Sequence, residues 1–148
     1  MKGQTLTGWM LVPPAFIGLI DSAYIAINSL QGFIVPCGLA GGCDQVLNSP
    51  YARVSGVSIA WAGLLFYAVV AGSGTFAIFG FSGQLRFTLM ASVIAFAFTL
   101  YLLYLQALVL RAFCDYCLLS AFLVTLILAI HLFARPWDRA RRTNEWGV

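Results

Sequence analysis

The hydrophobic positions of the chain fall into four long runs, with most polar residues between them. The runs cover about residues 9–33, 57–79, 87–110 and 113–134. Each run is apolar on all sides of a helix, and each is as long as the roughly 20 residues that an α-helix needs to cross a bilayer. The runs lack the strict alternation of membrane barrel strands. The pattern therefore predicts four transmembrane helices.

The composition narrows the class of protein. Of the 148 residues, 61% are hydrophobic and 9% are charged, whereas a soluble domain is about a quarter charged and just under half apolar. A globule of this size cannot bury so much apolar surface. A soluble domain, a disordered chain and a nucleic-acid-binding module are therefore excluded. We expect one all-α membrane domain over residues 1–148, a four-helix bundle in contact with lipid.

The basic residues predict the orientation of the bundle. Four spans place both termini on one side, and Lys and Arg accumulate on the cytoplasmic side of membrane proteins. Arg53 and Arg111 fall on the side opposite the termini, and six basic residues fall on the side of the termini: Lys2, Arg86, Arg135, Arg139, Arg141 and Arg142. We expect both termini and the tail 135–148 to be cytoplasmic and the loop 34–56 to be extracytoplasmic.

With this topology all four cysteines lie at the extracytoplasmic surface, where disulfides form. Cys37 and Cys43 lie in the loop 34–56, and three glycines between them leave that loop free to move. Cys114 and Cys117 form a C-x-x-C motif at the start of the fourth span. Its spacing puts both sulfurs on one helix face, and a helix N-terminus stabilises a thiolate.

The segment that follows Cys43 is too short to span a membrane. We expect a short helix over residues 43–53 that caps the mouth of the bundle, bent or ended by Pro50. Ser49 follows Cys43 by six residues and is placed to face back toward the cysteines.

Two other interpretations of the cysteines remain open. Four thiolates bind zinc or another soft metal in many proteins, although the only histidine, His131, lies at the opposite membrane face. Two purely structural disulfides are the second alternative, although a bridge across C-x-x-C closes a very small, strained loop. Asp21 within the first span indicates either a functional group or a carboxyl satisfied by Ser22, Asn28 or backbone.

Taken together, these motifs resemble the vitamin K epoxide reductase family. The resemblance covers about residues 15–131 and rests on the order and spacing of four elements: Cys37-x5-Cys43, Val-Leu-Asn-Ser-Pro-Tyr at 46–51, Gly-Val-x-Ile-Ala-x-x-Gly-x-x-x-Tyr at 56–67, and Cys114-x-x-Cys117-Leu-x-Ser. Disulfide bond formation protein B, another quinone-coupled four-helix oxidase, has its C-x-x-C motif in the first loop. The order here is the reverse.

The resemblance implies a four-helix bundle around a quinone and a role for each cysteine. Cys37 would exchange disulfides with a thioredoxin-like partner, expected to be a separate protein. Cys43 would pass electrons inward to Cys114, and Cys117 would react with the quinone. Ser49 matches a serine of the family that hydrogen-bonds near the redox centre.

The resemblance does not identify the quinone, which would be ubiquinone, menaquinone or vitamin K. Ser58 stands where many prokaryotic members have proline, and Ala121 stands where vertebrate members have a tyrosine. The candidate quinone-binding residues are Ser58, Trp61, Tyr67 and Ala121.

The leading hypothesis is a membrane thiol–disulfide oxidoreductase of prokaryotic type that supports disulfide bond formation. One alternative is a vitamin K epoxide or quinone reductase whose useful product is the reduced quinone. The non-enzymatic alternatives are a disulfide-stapled membrane scaffold and a soft-metal carrier; we expect no metal site.

Overall fold

The computed structural model describes residues 2–32, 35–39, 41–54, 56–81 and 83–145. These residues form five α-helices: α1 (Lys2–Gln31), α2 (Cys43–Leu47), α3 (Ala60–Ile78), α4 (Leu85–Tyr104) and α5 (Asp115–Glu145). A 3-10 turn (Pro50–Ala52) and two short antiparallel strands, β1 (Arg53–Val54) and β2 (Val57–Ser58), follow α2. A π-helical turn (Leu105–Leu110) extends α4.

Four of the helices are long and apolar enough to cross a membrane. The candidate spans are Thr5–Gln31, Ala60–Ile78, Leu85–Leu110 and Asp115–Phe133. The prediction of an all-helical membrane protein with four spans is therefore confirmed, as is the short helix between the first two. The backbone of α5 continues as a helix to Glu145, past the expected end near residue 134.

Helix α1 lies at the centre of the packing, against α3 and α5, while α4 packs on α5 and α3. Two glycines on α1 allow the close approach to α3. A Cβ on Gly8 would lie 2.6 Å from the carbonyl oxygen of Gly74, and a Cβ on Gly18 would clash with the ring of Tyr67. Small residues at such crossings let membrane helices gain packing contacts that lipid cannot offer.

Apolar side chains divide between a core and a lipid-facing surface. Leu11, Tyr67, Val70 and Ile127 are fully buried in one cluster shared by α1, α3 and α5. On α4 several large side chains outside the bundle are exposed, Met90, Val93 and Leu100 among them. In water this exposure would be costly, but in a bilayer these side chains contact lipid tails.

The cap between α1 and α3 is more broken than the sequence indicates. Helix α2 ends at Leu47, and Ser49 is extended with φ −65° and ψ 152°. A residue that precedes proline is pushed out of the helical region, so Pro50 starts a new 3-10 turn instead of ending one continuous helix. The strand pair then turns at Gly56, which has φ +83°. As a result α3 begins at Ala60, three residues later than expected.

Candidate active site

The structure gathers the four cysteines at one end of the bundle. Cys37 and Cys43 form a disulfide with their Cα atoms 5.5 Å apart, while Cys114 and Cys117 are free thiols. Cys43 and Cys114 are fully buried in one small apolar cluster, and the other two cysteines pack against its edge. The two pairs that the sequence places far apart are therefore neighbours in space.

A glycine brings the loop cysteines close to the C-x-x-C motif. A Cβ on Gly42 would lie 2.7 Å from the carbonyl oxygen of Phe113 and 2.9 Å from the Cβ of Ala112. The backbone that immediately precedes Cys43 thus rests on the backbone that immediately precedes Cys114. This contact accounts for the common burial of the two sulfurs.

The two residues inside the C-x-x-C motif hold the loop that carries Cys37. The Asp115 carboxylate oxygen Oδ2 accepts hydrogen bonds from the backbone N–H groups of Gly38 at 2.8 Å and Leu39 at 2.7 Å. The Tyr116 hydroxyl donates to the carbonyl oxygen of Pro36 at 3.2 Å. Neither anchor could be predicted from the sequence, because an x position within C-x-x-C carries no signal of its own.

The same carboxylate lies beside both loop sulfurs. Potential metal-ligand atoms of Cys37, Cys43 and Asp115 lie within 4.8 Å of one another. Both sulfurs are joined in the disulfide, however, so neither is a thiolate in this state. The Asp115 carboxylate thus lies next to the disulfide while it holds the backbone of the same loop.

Cys114 is the sulfur whose chemistry the helix start controls most directly. A hydrogen bond from the Cys117 thiol lowers the pKa of Cys114, and the backbone N–H groups of Cys117 and Tyr116 add to this effect, while burial opposes it. The Cys114 N–H donates to Oε1 of Gln106 at 3.2 Å. Cys114 is thus the better stabilised thiolate, as the helix-start position predicts.

Cys117 lines an apolar cavity of about 480 Å³. It lies among α1, α3, α4 and α5 below the cap, and its volume is within the range of small-molecule pockets. Of the candidate quinone contacts, Ser58, Tyr67 and Ala121 line it, whereas Trp61 lies outside the lining and is 39% exposed.

The polar residues of the cavity wall have different partners. Ser49 is buried on the lining, and its hydroxyl donates to the carbonyl oxygen of Val46 at 2.7 Å. The Tyr67 hydroxyl lies 2.8 Å from Ser120 Oγ. Gln106, 2% exposed, also lines the cavity and was missed in the sequence. Its signal was a lone amide inside an otherwise apolar span.

The match to known proteins agrees with this geometry. The vitamin K epoxide reductase family matches residues 9–132, which include all four cysteines and all of the candidate spans except the first four residues of the first and the last residue of the fourth. The chain belongs to the vitamin K epoxide reductase family. The resemblance inferred from the cysteine order and the loop motifs is thereby confirmed, and the protein is an oxidoreductase of this family.

One curated relative adds the reaction class. The thiol-disulfide oxidoreductase LTO1 of Arabidopsis thaliana is 35% identical over 124 residues, covering 71% of this chain and 30% of the relative. The chain thus spans about a third of the length of that protein. Family and relative together support thiol–disulfide oxidoreductase chemistry at the two cysteine pairs.

Proposed function

We propose that this family member carries electrons from a thioredoxin-like dithiol protein, through Cys37 and Cys43 and then Cys114 and Cys117, to a membrane quinone, in support of disulfide bond formation. The observation that carries the proposal is the order of the sulfurs in space. Cys37 lies in the loop close to the fully exposed Leu39. Cys43 and Cys114, one from each pair, are buried together in one cluster. Cys117 lines the apolar cavity.

The first exchange takes place at the loop. A thiolate of the partner attacks the Cys37 sulfur, the Cys37–Cys43 bond breaks, and Cys43 leaves and takes a proton. The second thiol of the partner then displaces Cys37, so that the partner gains a disulfide and the loop holds two thiols. The exposure of the glycine loop around Cys37 gives a partner access to this sulfur.

The second exchange moves electrons inward. The Cys43 thiolate attacks the Cys114 sulfur of an oxidised Cys114–Cys117 pair, and Cys117 leaves. Cys37 then displaces Cys114 from Cys43, which closes the loop disulfide again and leaves two thiols in the C-x-x-C motif. A closed loop pair beside two free thiols is the product of this transfer, and the pairing therefore supports the route.

The residues around the cavity fit a quinone headgroup. The lining is dominated by apolar side chains, and Ser58, Tyr67 and Ala121 stand on its wall near Cys117. A bound quinone supplies a two-electron, two-proton acceptor in lipid. Cys117 lines the cavity that would hold it, and Cys114, hydrogen-bonded to Cys117, is in position to close the disulfide. Ubiquinone, menaquinone and vitamin K all carry such a headgroup.

We place the redox site on the extracytoplasmic side and both termini in the cytoplasm. The charge pattern supports this orientation, because Arg53 and Arg111 are the only basic residues on the side of the cysteines. Cysteine labelling in sealed cells with a membrane-impermeant maleimide tests it: Cys37 should react after reduction, and a cysteine added after Val148 should not.

The function is tested by thiol trapping of the full chain in nanodiscs, with a reduced thioredoxin-like protein as donor and ubiquinone-1 as acceptor. We expect the donor to become oxidised only when quinone is present. C117A should abolish quinone reduction while the loop still exchanges with the donor, and C114A should leave loop electrons unable to move inward. Pairs that stay oxidised under every condition would indicate a scaffold, and stoichiometric zinc held by the thiolates would indicate a metal carrier.

A further inference from the structure

Asp21 is a carboxyl group inside the bundle that the electron route above does not use. Its side chain is 8% exposed and lines the cavity, and its Oδ2 atom is buried without a hydrogen-bond partner within the part of the chain that the structure describes. Neither Ser22 nor Asn28, the partners suggested by the sequence, satisfies this oxygen. Burying a carboxyl group at membrane depth costs free energy, so such a residue indicates a functional site.

Contacts on either side fix the level of Asp21 in the bundle. About one turn toward the cap, the ring of Tyr24 lies 5.7 Å from the ring of Tyr116. About one turn in the other direction, Gly18 abuts the ring of Tyr67. Asp21 therefore lies at the level of the first turns of α5.

Cys117 lies on those same turns of α5. It comes directly after Tyr116, and Ser120, which contacts Tyr67, follows three residues later. Asp21 and Cys117 both line the cavity, and they lie close enough to interact electrostatically. The unpartnered carboxyl and the sulfur that would donate electrons thus line the same cavity.

We propose that Asp21 is the proton-transfer residue that couples oxidation of Cys117 to reduction of the quinone; the inference rests on the proposed function. The Asp21 carboxylate takes the proton of the Cys117 thiol, which leaves the thiolate that donates electrons. The protonated Asp21 then gives this proton to a quinone oxygen.

The second transfer repeats the first with the proton of Cys114. As the Cys114–Cys117 bond forms, the two thiols release two electrons and two protons in all, which equals what a quinone takes up. Asp21 ends in the ionisation state in which it began. The carboxyl group therefore only carries protons, and the transfer of two electrons and two protons needs no further oxidant or reductant.

Other titratable groups surround Asp21, and a pH test has to separate them. They come from its own helix, from α3, from α5 and from the residue before α5: Tyr24, Tyr67, Tyr116, Cys117 and Cys114. Replacing Asp21 by asparagine removes one of these groups and keeps the size of the side chain. Any part of the pH profile that disappears in D21N belongs to Asp21.

The decisive measurement is single-turnover oxidation of the pre-reduced C-x-x-C pair by ubiquinone-1 in nanodiscs, followed by acid quench and thiol trapping. We expect D21N to slow this step about 10²-fold and D21E to recover a large part of the rate. The wild-type rate should fall as the pH is lowered, and D21N should lose that dependence. S92A, which alters a buried serine outside the cavity lining, is the matched control and should retain the wild-type rate.

Two measurements need no quinone. Exchange of the loop disulfide with a donor dithiol should be equal in D21N and wild type, and the thermal unfolding temperature of D21N should not fall, because Oδ2 has no partner to lose. A D21N protein with the wild-type rate and pH profile overturns the inference, as does a D21N protein that is slow only because it is unstable. A wild-type protein that fails to reduce ubiquinone-1 contradicts the proposed function itself.

Discussion

The Oδ2 atom of Asp115 accepts a hydrogen bond of 2.8 Å from the backbone N–H of Gly38, 77 residues earlier in the chain. The same oxygen accepts a second bond, of 2.7 Å, from the N–H of Leu39. Asp115 is the first residue of α5 and stands between Cys114 and Cys117. One side chain of the C-x-x-C motif therefore docks the loop that carries the other cysteine pair.

Removing this carboxylate should slow transfer between the two cysteine pairs. Hydrogen bonds to charged groups contribute about 1.5–3 kcal/mol each, so losing two of them should lower the docked population of the loop by at least about tenfold. We expect D115A to slow Cys43–Cys114 exchange to this extent and to leave quinone oxidation of the pre-reduced motif unchanged. Rapid-quench thiol trapping separates the two steps.

D44A is the matched control for D115A, because Asp44 is an exposed carboxylate in the cap whose side chain pairs with Asn48. It should leave the exchange rate as it is in the wild type. Equal slowing in D44A and D115A would mean that general disturbance of the cap, and not docking by Asp115, limits the exchange.

The environment of Cys114 predicts a difference between two single-thiol proteins. The Cys117 thiol lowers the pKa of Cys114 by donating a hydrogen bond, so the Cys114 thiolate persists to lower pH than an ordinary cysteine. With the loop disulfide closed, both C117S and C117A retain Cys114 as the only free thiol. Because serine also donates a hydrogen bond, C117S should titrate at lower pH than C117A.

Thiolate absorbance in the ultraviolet, recorded as a function of pH, follows this titration directly. C114A should lack the low-pH thiolate signal, which assigns it. Identical titration curves for C117S and C117A would show that the side chain at 117 does not set the pKa of Cys114.

The contact of Gly42 with the chain before Cys114 gives a steric prediction. A methyl group on Gly42 would lie 2.7 Å from the Phe113 carbonyl oxygen, whereas one on Gly72 would meet no atom within 4 Å. G42A should lift the loop and slow Cys43–Cys114 exchange, and G72A should not. Both exchange rates are measured with the donor dithiol in excess. Unchanged exchange in G42A would mean that the loop transfers electrons without this contact.

The local parts of the architecture could be predicted from the sequence. All-round apolarity over 20 or more residues identifies a span without reference to any other segment. The position of Cys114 and Cys117 at a helix start likewise depends only on the residues that follow them. For this reason the number of spans, the capping helix and the pairing of cysteines in two groups were all expected before the structure was known.

The contacts between distant segments could not be predicted. The bonds from Gly38 to Asp115 and from the Cys114 N–H to Gln106 depend on how the cap settles on the bundle. The cavity depends on the same packing, and its lining includes Ser58 and excludes Trp61, although only two residues separate them in the sequence. Pro50 alone predicts a break in the cap helix. The strand pair that follows the break depends on the turn at Gly56.

Filling the cavity should separate the two halves of the reaction. Ala121 lies on α5, one turn beyond Cys117, is 8% exposed and lines the cavity. A phenylalanine there would occupy space that a quinone headgroup needs, so A121F should raise the KM for ubiquinone-1 at least about tenfold, equivalent to about 1.4 kcal/mol of binding. Exchange between the loop disulfide and the donor dithiol should keep its wild-type rate.

The matched control for A121F is A97F, which adds the same ring at an exposed position of α4 outside the cavity lining. In a bilayer this ring contacts lipid, so A97F should keep the wild-type KM. Quinone titrations of both variants in nanodiscs, with thermal unfolding as a check on folding, provide the comparison. A stably folded A121F protein with the wild-type KM would place the quinone somewhere other than this cavity, because a filled pocket cannot bind the headgroup unchanged.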